Sequence, residues 1–190
     1  MKIEKKEFFT ISNLLSFFRL LLAVPFWYLI SNFDQPNFRY YTAGLAVVGA
    51  VTDWLDGVLA RKFNQVTEVG KIIDPLADKI TLGAIVIALY VTNEIPVYYF
   101  AFIIGRDIII FLGGIYVSSK LGKVLPSNKL GKLTVSVIAV VLFMVVLMVD
   151  RGSIVFLSFY YFSIVLMFIS LFAYMYRAYE YLQRKKNESV

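Results

Sequence analysis

Four aspartates set one stretch of this 190-residue chain apart from its apolar background. Asp53, Asp56, Asp74 and Asp78 lie in hydrophobic runs that read as helix, spaced i,i+3 in the first pair and i,i+4 in the second. Each pair therefore shares one helix face. At about 100° per residue, Asp53, Asp56, Gly57, Ala60 and Arg61 fall within an arc of roughly 140° on the first helix. Gly70, Asp74 and Asp78 form one i,i+4,i+8 ridge on the second. A turn over 62–69 would fold the two helices back on each other and gather the carboxylates, which repel unless something cationic sits between them. The chain has no histidine and no cysteine, so any acid, base or ligand work falls to carboxylates.

The elements that must position these groups belong to a membrane. Of all residues 59% are hydrophobic, too many for a soluble domain of this size. The formal charge of +6 sits mostly at the ends of apolar runs, where it meets anionic lipid headgroups, so nucleic acid is not an expected partner. Six apolar runs, at about 11–31, 41–61, 71–91, 97–117, 130–149 and 154–175, are each long enough to cross a ~30 Å hydrocarbon core as a helix. The expected fold is thus all-α and integral to the membrane, with six transmembrane helices. The connections at 31–39, 62–69, 92–96, 118–129 and 150–153 are short and rich in polar residues, Gly or Pro, so a single membrane domain over 1–190 is expected.

Residues 1–9 set Ile3, Phe8 and Phe9 against Lys2, Lys5 and Lys6, which suits a short interfacial segment. The run that follows lacks a small-residue cleavage site and is expected to be the first span, not a signal peptide. Lysine and arginine crowd the N-terminus, the 61–70 turn, the loop bearing Lys120, Lys123, Lys129 and Lys132, and the tail with Arg184, Lys185 and Lys186. The alternate loops offer Arg39 and Arg151, so both termini and the aspartates are expected at the cytoplasmic side. Further charges lie inside the runs: Arg19, Lys79, and the Arg106–Asp107 pair. Such groups cost several kcal/mol at membrane depth unless they pair or face water, which implies a polar cavity open to the cytoplasm.

The pattern Asp53-x2-Asp56-Gly57-x2-Ala60-Arg61-x8-Gly70-x3-Asp74-x3-Asp78 resembles, in every element, the signature of the CDP-alcohol phosphotransferases, membrane enzymes that make phospholipids from CDP-activated substrates. The resemblance implies a six-helix bundle, usually a homodimer, with the motif on the second and third helices. Within the family, Thr52-Asp53-Trp54, the run from Leu59 to Thr67, Asp74-Pro75-Leu76-Ala77-Asp78-Lys79, and Ser12-Asn13-Leu14-Leu15-Ser16 followed by Arg19 are similar to the phosphatidylglycerophosphate synthase branch. The likeness covers roughly the first 110 residues. Before its fifth span that branch usually carries Gly-Lys-x-Lys-Thr-x-x-Gln, whereas this chain reads Gly131-Lys132-Leu133-Thr134-Val135-Ser136-Val137-Ile138, without the second lysine and the glutamine.

By that resemblance, the aspartates Asp53, Asp56, Asp74 and Asp78 would hold Mg²⁺ or Mn²⁺ against the diphosphate of CDP-diacylglycerol, since hard divalent cations prefer carboxylate and phosphate oxygens. Gly57 would let the nucleotide approach the helix backbone, and Arg61 would offer a planar fork to phosphate oxygens. Asn13, Ala60, Thr67 and Gly70 complete the implied CDP-lipid site, and Asp78 is the implied base for the acceptor hydroxyl. The implied acceptor is sn-glycerol 3-phosphate, giving phosphatidylglycerol phosphate and CMP. A phosphorylated acceptor needs basic partners beside the acidic face, for which Arg19, Lys79, Arg106 and Lys132 are candidates.

Other readings stay open. Gly57, Ala60 and Gly70 could serve close helix packing, Arg19 and Lys79 could be counter-ions, and the 120–132 loop could be a topology determinant. The acceptor could instead be inositol phosphate, serine, or phosphatidylglycerol in the cardiolipin reaction. A cation transporter with an intramembrane acidic site is the distant alternative, but residues 79–190 hold no repeat of the Asp-rich pattern.

Overall fold

The computed structural model describes residues 11–62, 70–121 and 129–188, and their regular structure is all helical. Six helices follow in order: α1 (Ile11–Ser31), α2 (Phe38–Lys62), α3 (Gly70–Val91), α4 (Val97–Leu121), α5 (Lys129–Val146) and α6 (Ile154–Glu188). Each apolar run found in the sequence thus contains a helix. The expected interfacial segment over 1–9 lies outside the described residues, as do 63–69 and 122–128 of the two basic connections. The chain forms two compact units, one ending at Glu94 and the other starting at Ile95.

In the first unit α1 packs against both α2 and α3. Leu22, Phe26 and Ile30, at i, i+4 and i+8, form the buried stripe of α1. The buried residues of the other two helices include Ala77, Val86, Ala88 and Leu89 of α3 and Ala43 of α2. α3 ends in a Schellman turn: the Glu94 N–H donates to the Leu89 carbonyl at 2.8 Å and the Asn93 N–H to the Tyr90 carbonyl at 3.0 Å. The left-handed φ of 58° at Asn93 suits an asparagine there. At this end Glu94 is ion-paired with Arg39 from the start of α2, and the Arg39 guanidinium lies 4.2 Å from the Phe33 ring centre. The end of the unit away from the aspartates is therefore tied across two helices.

In the second unit α6 packs against α5 and α4. Tyr99, Ile103 and Arg106 recur at i, i+4 and i+7 as a buried stripe of α4, and Ser163 and Ser170, seven apart, are buried on α6. The two stripes meet through hydrogen bonds: the Tyr99 and Ser163 hydroxyls are 2.8 Å apart, and Arg106 Nε donates to Ser170 Oγ at 3.0 Å. Small hydroxyl residues let the helices approach and satisfy the polar groups buried between them. The Tyr174 ring of α6 covers the Gly113–Gly114 pair of α4, where a Cβ on Gly113 would come 3.1 Å from the ring. α5 ends in a second Schellman turn, with Met148 at φ 56°. Ser153 then caps α6, its Oγ accepting from the Phe156 N–H at 3.2 Å.

Among the described residues, three helices are long and apolar enough to cross a membrane: Val97–Lys120, Lys129–Val146 and Ile154–Gln183, all in the second unit. The described apolar part of α1 runs over Ser16–Ser31. Several boundaries differ from the hydropathy reading: α2 starts at Phe38 instead of 41, α4 runs to Leu121 instead of 117, and the ends of α5 and α6 shift as well. α5 stops at Val146, before the expected 149, because the chain turns left-handed at Met148. α6 continues past 175 to Glu188, because helix-forming polar residues such as Glu180 and Gln183 carry it beyond its apolar part.

Candidate carboxylate site

The first unit brings Asp53 and Asp78 together around one cation. Arg19 Nη1 donates to Asp53 Oδ1 of α2 and, at 2.6 Å, to Asp78 Oδ1 of α3. The first and last aspartates of the motif thus converge on one nitrogen of α1. Arg19 is 6% exposed, whereas the side chains of Asp53 and Asp78 are 59% and 52% exposed. The guanidinium consequently sits on the buried side of the two carboxylates, which are themselves exposed.

Two residues that the sequence did not mark as functional hold Arg19 in place. Ser16, fully buried one turn earlier on α1, accepts from Arg19 Nη2 at 3.4 Å. Thr81 of α3 donates its hydroxyl to the Arg19 backbone carbonyl at 3.0 Å, which pins α1 against α3 at this level. The available signal was spacing: Ser16 stands three residues before Arg19 and Thr81 three after Asp78, so each shares a helix face with a charged residue.

The other expected residues fall as follows. Asp56, Gly57, Ala60 and Arg61 lie on α2 beyond Asp53, Gly70 and Asp74 on α3 before Asp78, and Asn13 near the start of α1. The side chains of these seven lie outside the described residues, and Thr67 lies outside them altogether. Lys79 is exposed beside Asp78. Among the described residues no three acidic side chains cluster, Asp53 and Asp78 forming a pair.

Arg106 and Lys132 belong to the second unit. Arg106 is 6% exposed and donates to Ser170 and, through Nη1 at 2.7 Å, to Asp107 Oδ1. Its Nη2 lies 3.7 Å from where a Cβ on Gly131 would stand, so the guanidinium reaches the first turn of α5. Lys132, one residue on, is exposed. Thr134, at the position of the branch's second lysine, is buried and donates to the Leu130 carbonyl at 2.7 Å. Here that position serves helix packing.

Described residues whose regular structure is all helical, three helices long and apolar enough to cross a membrane, and carboxylates of two helices gathered on a buried arginine are the features of a membrane protein with an acidic polar site. The chain belongs to the CDP-alcohol phosphatidyltransferase family, which it matches over residues 9–176. It is 43% identical over 82 residues to a CDP-diacylglycerol–glycerol-3-phosphate 3-phosphatidyltransferase of Wigglesworthia glossinidia brevipalpis, covering 42% of this chain and 44% of that protein. A protein of the same name from Rickettsia bellii is 33% identical over 110 residues, 58% of each chain. A probable cardiolipin synthase (CMP-forming) of Drosophila melanogaster is 31% identical over 114 residues, 58% of this chain and 34% of the fly protein. The chain therefore spans about half the length of the curated relatives it matches.

Proposed function

We propose that this chain is an enzyme that transfers a phosphatidyl group from CDP-diacylglycerol to sn-glycerol 3-phosphate, releasing CMP and phosphatidylglycerol phosphate. The observation that carries this reading is the convergence of Asp53 and Asp78 on Arg19 in a chain of this family. The names of the Wigglesworthia and Rickettsia proteins support the donor and the acceptor.

The residues fit a hard divalent cation: the donors are carboxylate oxygens, and a guanidinium already serves as the cation between two of them. Asp53, Asp56, Asp74 and Asp78 would hold Mg²⁺ or Mn²⁺, which when bound neutralises charge on the diphosphate oxygens. Arg61 and the small residues Gly57, Ala60 and Gly70, with Asn13 and Thr67, receive the cytidine diphosphate. Asp78 takes the proton from the acceptor hydroxyl as its oxygen bonds to the lipid-side phosphorus. The bond from that phosphorus to the CMP oxygen breaks, and CMP leaves with the electron pair. The exposure of Asp78 supports this role, since a base must reach its substrate. Lys79, Arg106 and Lys132 are the proposed partners of the acceptor phosphate.

We place the two units in one six-span membrane domain with both termini and the site at the cytoplasmic face, assembled as a homodimer. A family match that runs without a break through both units supports the single domain. A second acceptor, phosphatidylglycerol in the cardiolipin reaction, is favoured by the packing of Thr134 and by the fly relative's name. The deciding experiment incubates the purified chain with CDP-diacylglycerol, Mg²⁺ and labelled acceptors, and identifies the lipid by mass. Phosphatidylglycerol phosphate as sole product is the expected result, and turnover only with phosphatidylglycerol, inositol phosphate or serine overturns the acceptor.

A further inference from the structure

We infer that Arg19 is a displaceable internal counter-ion of the carboxylate site: its guanidinium pairs with Asp53 and Asp78 and competes with a divalent cation for their oxygens. This rests on the reading of the aspartates as a metal site and adds to it a residue of α1, a helix that carries none of the motif's aspartates.

The geometry sets up a competition. Arg19 Nη1 engages Asp53 Oδ1 and Asp78 Oδ1, oxygens that face a metal reading of the same residues. The guanidinium comes from the buried side, since Arg19 is 6% exposed while both carboxylates are more than half exposed. A divalent ion and a guanidinium on the same oxygens repel each other, strongly so away from bulk water. The backbone of Arg19 is fixed by the Thr81 hydroxyl, so a change of side-chain rotamer suffices for release and the helix need not move.

Two consequences follow. The acidic face can fold before metal arrives, since one positive charge is built into it. Metal binding is weakened by the counter-ion, which keeps the ion exchangeable.

The test measures Mn²⁺ binding to the full chain in detergent by electron paramagnetic resonance, with thermal unfolding in chelator alongside. Arg19→Gln is expected to bind Mn²⁺ at least about tenfold more tightly than wild type, since a neighbouring positive charge is gone. In chelator the same variant should unfold at a lower temperature than wild type, and Mn²⁺ should close the gap. Arg19→Lys, which keeps a charge, should bind Mn²⁺ within about threefold of wild type by the same reasoning. Unchanged or weaker Mn²⁺ binding by Arg19→Gln overturns the inference and makes Arg19 a structural brace. Wild type with no saturable Mn²⁺ binding overturns the metal reading itself, and the inference with it. Should Arg19→Gln not fold, the side-chain ¹⁵N resonances of Arg19 in wild type, assigned by their loss in Arg19→Lys, decide instead. They are expected to shift on adding Mg²⁺, and resonances that stay in place overturn the displacement.

Discussion

Asp53 and Asp78 accept hydrogen bonds from the same guanidinium nitrogen, although Arg19 is 34 residues from one and 59 from the other. One buried cation thereby gathers three helices, and the two carboxylates it joins belong to the two halves of the motif.

Both carboxylates should be required for turnover. Asp53→Asn and Asp78→Asn are each expected to lower the rate by about a hundredfold or more, the first through the diphosphate site and the second also through loss of the base. Removal of divalent metal with chelator should abolish turnover, and added Mg²⁺ or Mn²⁺ should restore it. A radiolabelled CMP-release assay reads all three, and full turnover in excess chelator would overturn the proposed role of the aspartates.

Two of the cations proposed for the acceptor, Lys132 and Arg106, separate on burial. Lys132 is exposed, so Lys132→Gln should raise KM for glycerol 3-phosphate and leave CDP-lipid binding and thermal stability nearly unchanged. Arg106→Gln breaks the bonds to Ser170 and Asp107 and leaves Asp107 without its guanidinium partner at the α4–α6 contact. It should therefore destabilise the protein by about 3 kcal/mol in addition to any effect on KM. Steady-state kinetics paired with thermal unfolding distinguishes them. An unchanged KM in Lys132→Gln removes that residue from the acceptor site.

The sequence carried the chemistry of the site further than its geometry. Four aspartates at fixed spacing could be read directly, because helix periodicity turns spacing into a shared face. Arg19 was visible as a costly charge in an apolar run, but its partners were not, since which carboxylates it meets depends on how α1 packs between residues far away in sequence. Ser16 was read only as part of a resembling stretch and Thr81 not at all, because a serine or threonine in an apolar helix is unremarkable until something next to it needs a hydrogen bond. The helices were legible from hydropathy alone. Their ends were less so: apolar runs report membrane crossing, whereas α6 ends where helix propensity fails, and α5 ends at a backbone turn that Met148 does not advertise.

Met148 offers a test of that turn. It occupies the left-handed position of the Schellman motif closing α5, with the Val149 N–H on the Met144 carbonyl at 3.0 Å, and its side chain is largely exposed. A glycine adopts this φ without steric cost, so Met148→Gly should stabilise the protein by about 1 kcal/mol. Met148→Val, β-branched, should destabilise it. Thermal unfolding of the purified variants in one detergent checks both signs, and a Met148→Gly protein less stable than wild type would mean that the side chain contributes more than the strain removes.

The orientation rests on charge alone and can be tested without background, because the chain contains no cysteine. Gln35, exposed between α1 and α2, stands at the end of the first unit that carries the Arg39–Glu94 pair, away from the aspartates. Ser119, exposed near the end of α4, is followed in sequence by the basic residues Lys120 and Lys123. Basic segments stay on the cytoplasmic side, so the two positions should face opposite sides of the membrane. In intact cells a membrane-impermeant maleimide should label Gln35→Cys, while Ser119→Cys should become labelled only after permeabilisation. The reverse pattern would overturn the proposed cytoplasmic placement of the carboxylates. Labelling of both positions in intact cells would mean an odd number of crossings has been miscounted between residues 35 and 119.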